Sequence, residues 1–148
     1  AVGVAVDGCS APTFVLPARS AASAFAALAV SDEAGPRRLR AAVSASPVLY
    51  AGNGRTCTKL LAAFDGGVYP KSGAEGFYAL GVRDARLGLA LKIDDGAQRA
   101  TEALVATLLL RLLPDLPSKT RSALEAMRRT PVRNAAGLTV GAIEATPP

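Results

Sequence analysis

The sequence has no histidine and no tryptophan, and its aromatic residues are four phenylalanines and three tyrosines. Without histidine, no Ser–His or Cys–His pair can operate within the chain, and the commonest zinc ligand is missing. With so few rings, the core must be built mainly from Ala, Leu and Val. No apolar run approaches the ~20 residues needed to span a bilayer. The only cysteines are Cys9 and Cys57. With no cleavable leader in view, they point to reduced thiols and a cytoplasmic setting. The net charge is +5, but the arginines are scattered through helical patterns. No dense basic tract with interleaved aromatics exists, which argues against nucleic acid. The chain starts with Ala and opens in a strand pattern, so a preceding segment is expected.

What is present suits one globular domain over residues 1–148: half the residues are apolar, enough for a real core. The most informative stretch runs from Tyr69 to Asp95. Phe77, Ala79 and Gly81 fall on one side of an alternating run, and Tyr78, Leu80 and Val82 on the other. Arg83 to Arg86 forms a polar break, and Leu87 to Ile93 is a second apolar run, so the pattern predicts a β-hairpin. Just before it stand Lys71, Ser72 and Gly73. A cation, a hydroxyl and a glycine that exposes backbone N–H groups can hold an anionic or carbonyl-bearing ligand. An ordinary lysine in a turn before a strand is the plainer alternative.

Val2, Val4 and Val6 predict a short buried strand ending in Asp7-Gly8-Cys9-Ser10, either a functional strand end or a simple turn. Pro12 and Pro17 bracket an extended piece. Helices are expected from Ala18 to Val30, from about Pro36 to the Ser46-Pro47 break, and from Arg55 to Phe64, with Ala51 to Gly54 a flexible loop. Cys57 falls in the first turn of the third helix. There the helix dipole would favour a thiolate, although a small buried apolar residue fits equally well. Asp95 and Gln98 have the spacing of a capping box opening the longest helix. That helix carries the rows Leu104-Leu108-Leu112 and Val105-Leu109-Leu113. Ser118 to Arg129 reads as a peripheral polar helix, Pro131 to Ala136 as loop or edge, and Leu138 to Ile143 as a last strand. The predicted class is α+β (mixed α/β), an antiparallel sheet flanked by helices.

Four stretches then carry a family likeness: Asp7-Gly-Cys-Ser-Ala-Pro-Thr-Phe-Val-Leu-Pro17, Gly54-Arg-Thr-Cys57-Thr, Lys71-Ser-Gly-Ala-Glu-Gly76 and the run from Gly88 to Ala100. In this order they resemble the rhizobial-type (thermolabile) L-asparaginases, which share the fold of serine β-lactamases and glutaminases. The resemblance implies hydrolysis of the asparagine side-chain amide to aspartate and ammonia, by the C-terminal portion of such an enzyme. The family nucleophile lies in a Ser-x-x-Lys pattern, and none occurs here. Thr56-x-x-Lys59 has the spacing but a threonine, at a different place in the order.

The resemblance implies catalytic or pocket roles for Lys71, Ser72 and Cys57, and substrate contact at Gly73. It also implies zinc, with Cys9 a ligand and Asp7 supporting it; the remaining ligands belong to a Cys-Ser-Gly-Lys-His stretch absent from this sequence. Lys71 and Cys9 are then expected to face a common hollow. The implied partners are L-asparagine or a related small amide, with a homo-oligomer such as a dimer or an N-terminal segment completing the site. A penicillin-recognising, β-lactamase-like protein fits Lys71-Ser72-Gly73 but not Asp7-Gly8-Cys9. A non-catalytic assembly module is the remaining alternative.

Overall fold

A computed structural model describes residues 3–146. Ala1 and Val2, expected in the first strand, and the final Pro147-Pro148 lie outside the described residues. The fold is α+β, with short antiparallel sheets among helices. β1 (Gly3–Val6) pairs with β2 (Pro12–Val15) as a hairpin. The first strand was expected to be buried, yet every residue from Gly3 to Pro17 is exposed. Its alternating valines have the strand period but no element covering either face. Pro12 to Val15 supplies a paired strand where only an extended piece was expected.

Helices α1 (Ala18–Val30), α2 (Ala34–Ala45), α3 (Pro47–Ala51) and α4 (Thr56–Ala63) follow. Pro47 does more than end α2: it occupies the first turn of a further short helix. There its missing N–H leaves no bond unmade. That helix ends at Gly52, whose φ of 95° suits glycine.

The predicted hairpin forms the centre of a three-stranded sheet. β3 (Val68–Ser72), β4 (Phe77–Val82) and β5 (Leu87–Lys92) are antiparallel neighbours in that order. α1 lies across β4 and β5 at very short range. A Cβ at Gly81 would stand 2.1 Å from the Phe25 carbonyl oxygen, and one at Gly88 would stand 1.9 Å from that of Ala22. On the other face, Tyr78 and Leu80 join Leu60, Leu109 and Leu124 in the main apolar core. Burial on both faces explains why almost all of β4 is inaccessible.

α5 (Thr101–Leu112) follows a single 3-10 turn, Gln98–Ala100. The expected capping box does not form. Asp95 Oδ1 accepts a bond from Ala97 N at 2.9 Å, and its other oxygen meets Arg99. These two bonds close a local turn, and Gln98 is drawn away to the Gly73 carbonyl. Of the two leucine rows, Val105 and Leu109 are fully buried while Leu112 is about half exposed.

α6 (Ser118–Met127) was expected at the periphery. Instead Leu124 and Met127 are buried, and Thr120 Oγ1 donates to Ala63 O at 2.9 Å. The helix is polar on one face only and packs on α4 and α5 with the other. β6 (Arg129–Arg133) and β7 (Thr139–Glu144) form a last hairpin. Of the loop-or-edge alternatives for Pro131 to Ala136, residues 131–133 take the edge strand and residues 134–136 the turn.

The glycine contacts give a stability prediction. Gly88→Ala and Gly81→Ala each force α1 off the sheet and should destabilise the fold by at least about 1–3 kcal/mol, the usual cost of overpacking. Gly141→Ala, with open space around its Cβ position, should change little. Urea unfolding midpoints of the three variants decide between these outcomes.

Candidate functional site

The pairing register of β3 with β4 decides which side chains can reach a common space. Ser72 is opposite Tyr78, and Lys71 is opposite Ala79. Successive strand residues point to opposite faces, while directly paired residues share one. Ser72 therefore leaves the sheet on the Tyr78 face. Lys71 leaves it on the face shared by Ala79, Tyr69 and Gly81. On that face the Tyr69 ring stacks 5.9 Å from Phe25 of α1.

On the Tyr78 face is a cavity of about 270 Å³ between β3, α4 and the start of α5. Cys57, from the first turn of α4, and Ser72 both line it. The Cys57 thiol is buried and 3.1 Å from the Tyr78 hydroxyl. Burial, with the neighbouring Cys57 second, pushes the Tyr78 phenol well above its ordinary value. The phenol therefore stays protonated and able to donate. Tyr50 is likewise raised, by burial and then by Tyr69, and donates to the Pro70 carbonyl at 2.8 Å. That bond fixes the strand that delivers Ser72.

One wall is charged. Lys59 Nζ and Glu102 Oε1 pair at 2.6 Å, and Thr56 Oγ1 donates to the other Glu102 oxygen at 3.1 Å. Arg99, engaged by Asp95, and Arg55 also line the space. The Arg55 guanidinium has no partner among the described residues. Thr101 and Thr130 complete the wall, each with a buried hydroxyl that finds no partner among the described residues. Buried hydroxyls without partners are costly, and both of these oxygens lie beneath the cavity surface, out of reach of solvent.

Of the residues expected to form the site, the structure brings Cys57 and Ser72 together. Lys71 is exposed, and its Nζ donates to the Ser72 carbonyl at 2.6 Å. Gly73 accepts a bond from Gln98 Nε2 at 2.6 Å; a Cβ there would meet the Phe77 ring at 2.9 Å. Asp7 and Cys9 sit in the exposed turn between β1 and β2. Asp7 Oδ1 accepts from Cys9 N at 2.9 Å and Ala11 N at 3.0 Å. Neither Lys71 nor Cys9 lines the cavity.

Among the described residues, no group of three or more His, Cys, Asp or Glu side chains could hold a metal ion. A tetrahedral zinc takes four donors. Cys9, with an Asp7 carboxylate already bonded to its own turn, does not fit such a site unaided.

The residues missed from the sequence are Arg55, Tyr78, Arg99, Thr101, Glu102 and Thr130. The alternation around Tyr78 marks a strand residue and carries no site signal. Glu102 gave no local signal, because its partner Lys59 is 43 residues away. The Thr56-x-x-Lys59 spacing was the one available clue: both side chains converge on Glu102.

A family model for L-asparaginase II matches residues 1–145, and the chain belongs to that family. A search of curated protein sequences finds no match. Among the described residues, no helix is long and apolar enough to cross a membrane.

The raised Tyr78 phenol predicts alkaline lability. In the unfolded chain a tyrosine ionises near pH ~10. Native Tyr78 holds its proton to higher pH, so above about pH 10 the unfolded state binds fewer protons and stability falls. Below that pH the contribution is fully present. The slope should be about 1.4 kcal/mol per pH unit for this group. Tyr78→Phe should remove that part of the slope in unfolding curves recorded between about pH 8 and 11.5.

Proposed function

We propose that this chain serves hydrolysis of the side-chain amide of L-asparagine to aspartate and ammonia, and that the cavity on the Tyr78 face holds the substrate. The observation that carries this reading is the convergence of Ser72 and Cys57, from separate elements, on one polar cavity in a member of the L-asparaginase II family. A free amino acid presents a carboxylate, an ammonium and an amide within a few ångströms. The unpaired Arg55 fork suits the carboxylate. Glu102, the carboxylate among the lining residues, has lone pairs beyond its bonds to Lys59 and Thr56 to offer the ammonium. The Ser72 hydroxyl is a donor for the amide oxygen, where negative charge grows during attack. Tyr78 holds the Cys57 thiol against the cavity wall. Lys71, bonded to the Ser72 carbonyl from the opposite face, and Gly73, tied to Gln98, position the end of β3.

The sequence contains no Ser-x-x-Lys. In this reading the chain binds and orients substrate, and the attacking hydroxyl comes from outside it. Ammonia release from L-asparagine should therefore be undetectable for this polypeptide alone and should appear on addition of a segment bearing Ser-x-x-Lys. Robust turnover by the chain alone would refute the division of labour, and nitrocefin hydrolysis would favour the penicillin-recognising alternative. Asparagine binding followed by calorimetry should weaken about ten- to hundredfold in Arg55→Ala, the loss expected for a hydrogen bond to a charged group.

A second reading, assembly with another copy of the chain, is favoured by exposed apolar side chains on both outer hairpins. Val4, Val6 and Phe14 stand out on the first, and Leu138 and Val140 on the second. An isolated hairpin is marginal in water. Size-exclusion runs over a concentration series should show a shift to dimer that Phe14→Ser abolishes.

A further inference from the structure

A second hollow, of about 190 Å³, lies between α2 and the start of β3 and shares no lining residue with the first. Three arginines line it: Arg37 and Arg40 from α2, and Arg83 from the turn after β4. No carboxylate is among its lining residues. Three like charges around one space repel each other unless something of opposite sign enters.

The three guanidinium groups differ in how they are held. Arg40 is half-buried, and its Nη1 donates to the Leu28 carbonyl at 2.5 Å. One corner of its fork is thereby fixed while other N–H groups stay available. Arg37 has no side-chain partner among the described residues. Arg83 is only loosely paired, 3.8 Å from an Asp32 carboxylate that is itself exposed. The other acids close by in the chain, Glu33, Asp65 and Asp84 beside Arg83, are exposed too, so water screens them.

At the floor, Gly66 makes room for Ser44. Gly66 has a φ of 78°, and a Cβ there would stand 2.9 Å from the Ser44 hydroxyl. The Ser44 hydroxyl itself makes only a long bond, 3.4 Å, to the Gly66 carbonyl. It remains a usable donor beside the arginines.

We propose that this hollow binds a small tetrahedral oxyanion of the phosphate class. Planar guanidinium forks meet phosphate oxygens two at a time. A phosphate carries enough oxygens and charge to engage three forks and a hydroxyl together. A single carboxylate has two oxygens and one charge, and leaves part of the cationic ring unsatisfied.

Calorimetric titration of the full chain with sodium phosphate, at ionic strength held constant with sodium chloride, tests this. Saturable one-to-one binding is expected. Arg37→Ala and Arg83→Ala should each weaken it about tenfold or more, while Lys119→Ala, elsewhere on the surface, should leave it unchanged. Both arginines are exposed, so thermal midpoints without phosphate should stay near that of the parent chain. If one variant does not fold, the other carries the comparison. Absence of saturation, unchanged binding in the arginine variants, or tighter binding of succinate than of phosphate would each overturn the proposal.

Discussion

The approach of α1 to the central sheet over Gly81 and Gly88 is the constraint from which the rest follows. The helix comes so close that its own carbonyl oxygens occupy the space a β-carbon would need at either glycine. β4 is thereby covered on one face. Its other face must find a second apolar layer, and the side chains of α4, α5 and α6 provide it through Leu60, Leu109 and Leu124. Tyr78 is caught in that layer. Its ring is buried and its hydroxyl reaches the edge, where Cys57 and open cavity meet it. The site is thus a by-product of double-sided burial: a polar tip carried on a core residue.

The strand period then sorts the chemistry. Lys71 and Ser72 are neighbours in sequence, and a reading of residue types groups them in one site. Pairing to Ala79 and Tyr78 sends them to opposite faces. The lysine can influence the cavity only through the backbone, by its bond to the Ser72 carbonyl. An adjacent cation and hydroxyl on an extended strand will generally be divided this way.

The hairpin from Phe77 to Lys92 was legible because its alternation and its polar break are local. So were α1, which opens after Pro17 and stops at Ser31, and α4, which lies between Gly54 and Gly66. The exposure of β1 was not legible, since a valine alternation records strand period and not whether another layer covers it. Asp95 illustrates a different failure. Its spacing to Gln98 is correct for a cap, but an aspartate can close its own turn at Ala97 and capture Arg99 instead. Those competing bonds leave no trace in the spacing. Half of the cavity was invisible for a third reason: Glu102 has meaning only beside Lys59 and Thr56, and that encounter is made where the first turn of α5 comes beside α4. Family likeness located Cys57 and Ser72 without indicating which of their neighbours share the same space.

The shortage of aromatic residues acquires a structural sense here. A layer of large side chains between α1 and the sheet would hold their backbones well apart, as ordinary packing does. This chain instead places alanines on the helix and glycines on the strands. Ala22, Ala26 and Ala29 stand at that contact, with the Phe25 ring beside Tyr69. Small residues bury little area each, so stability there comes from many close backbone contacts and not from any single side chain. Such an interface has almost no tolerance for added volume. It also fixes β4 rigidly in place, and a rigid β4 allows one strand to present Tyr78 toward the cavity at a defined depth. The same small residues that make the sequence look featureless between Ala18 and Ala29 therefore set the position of the site.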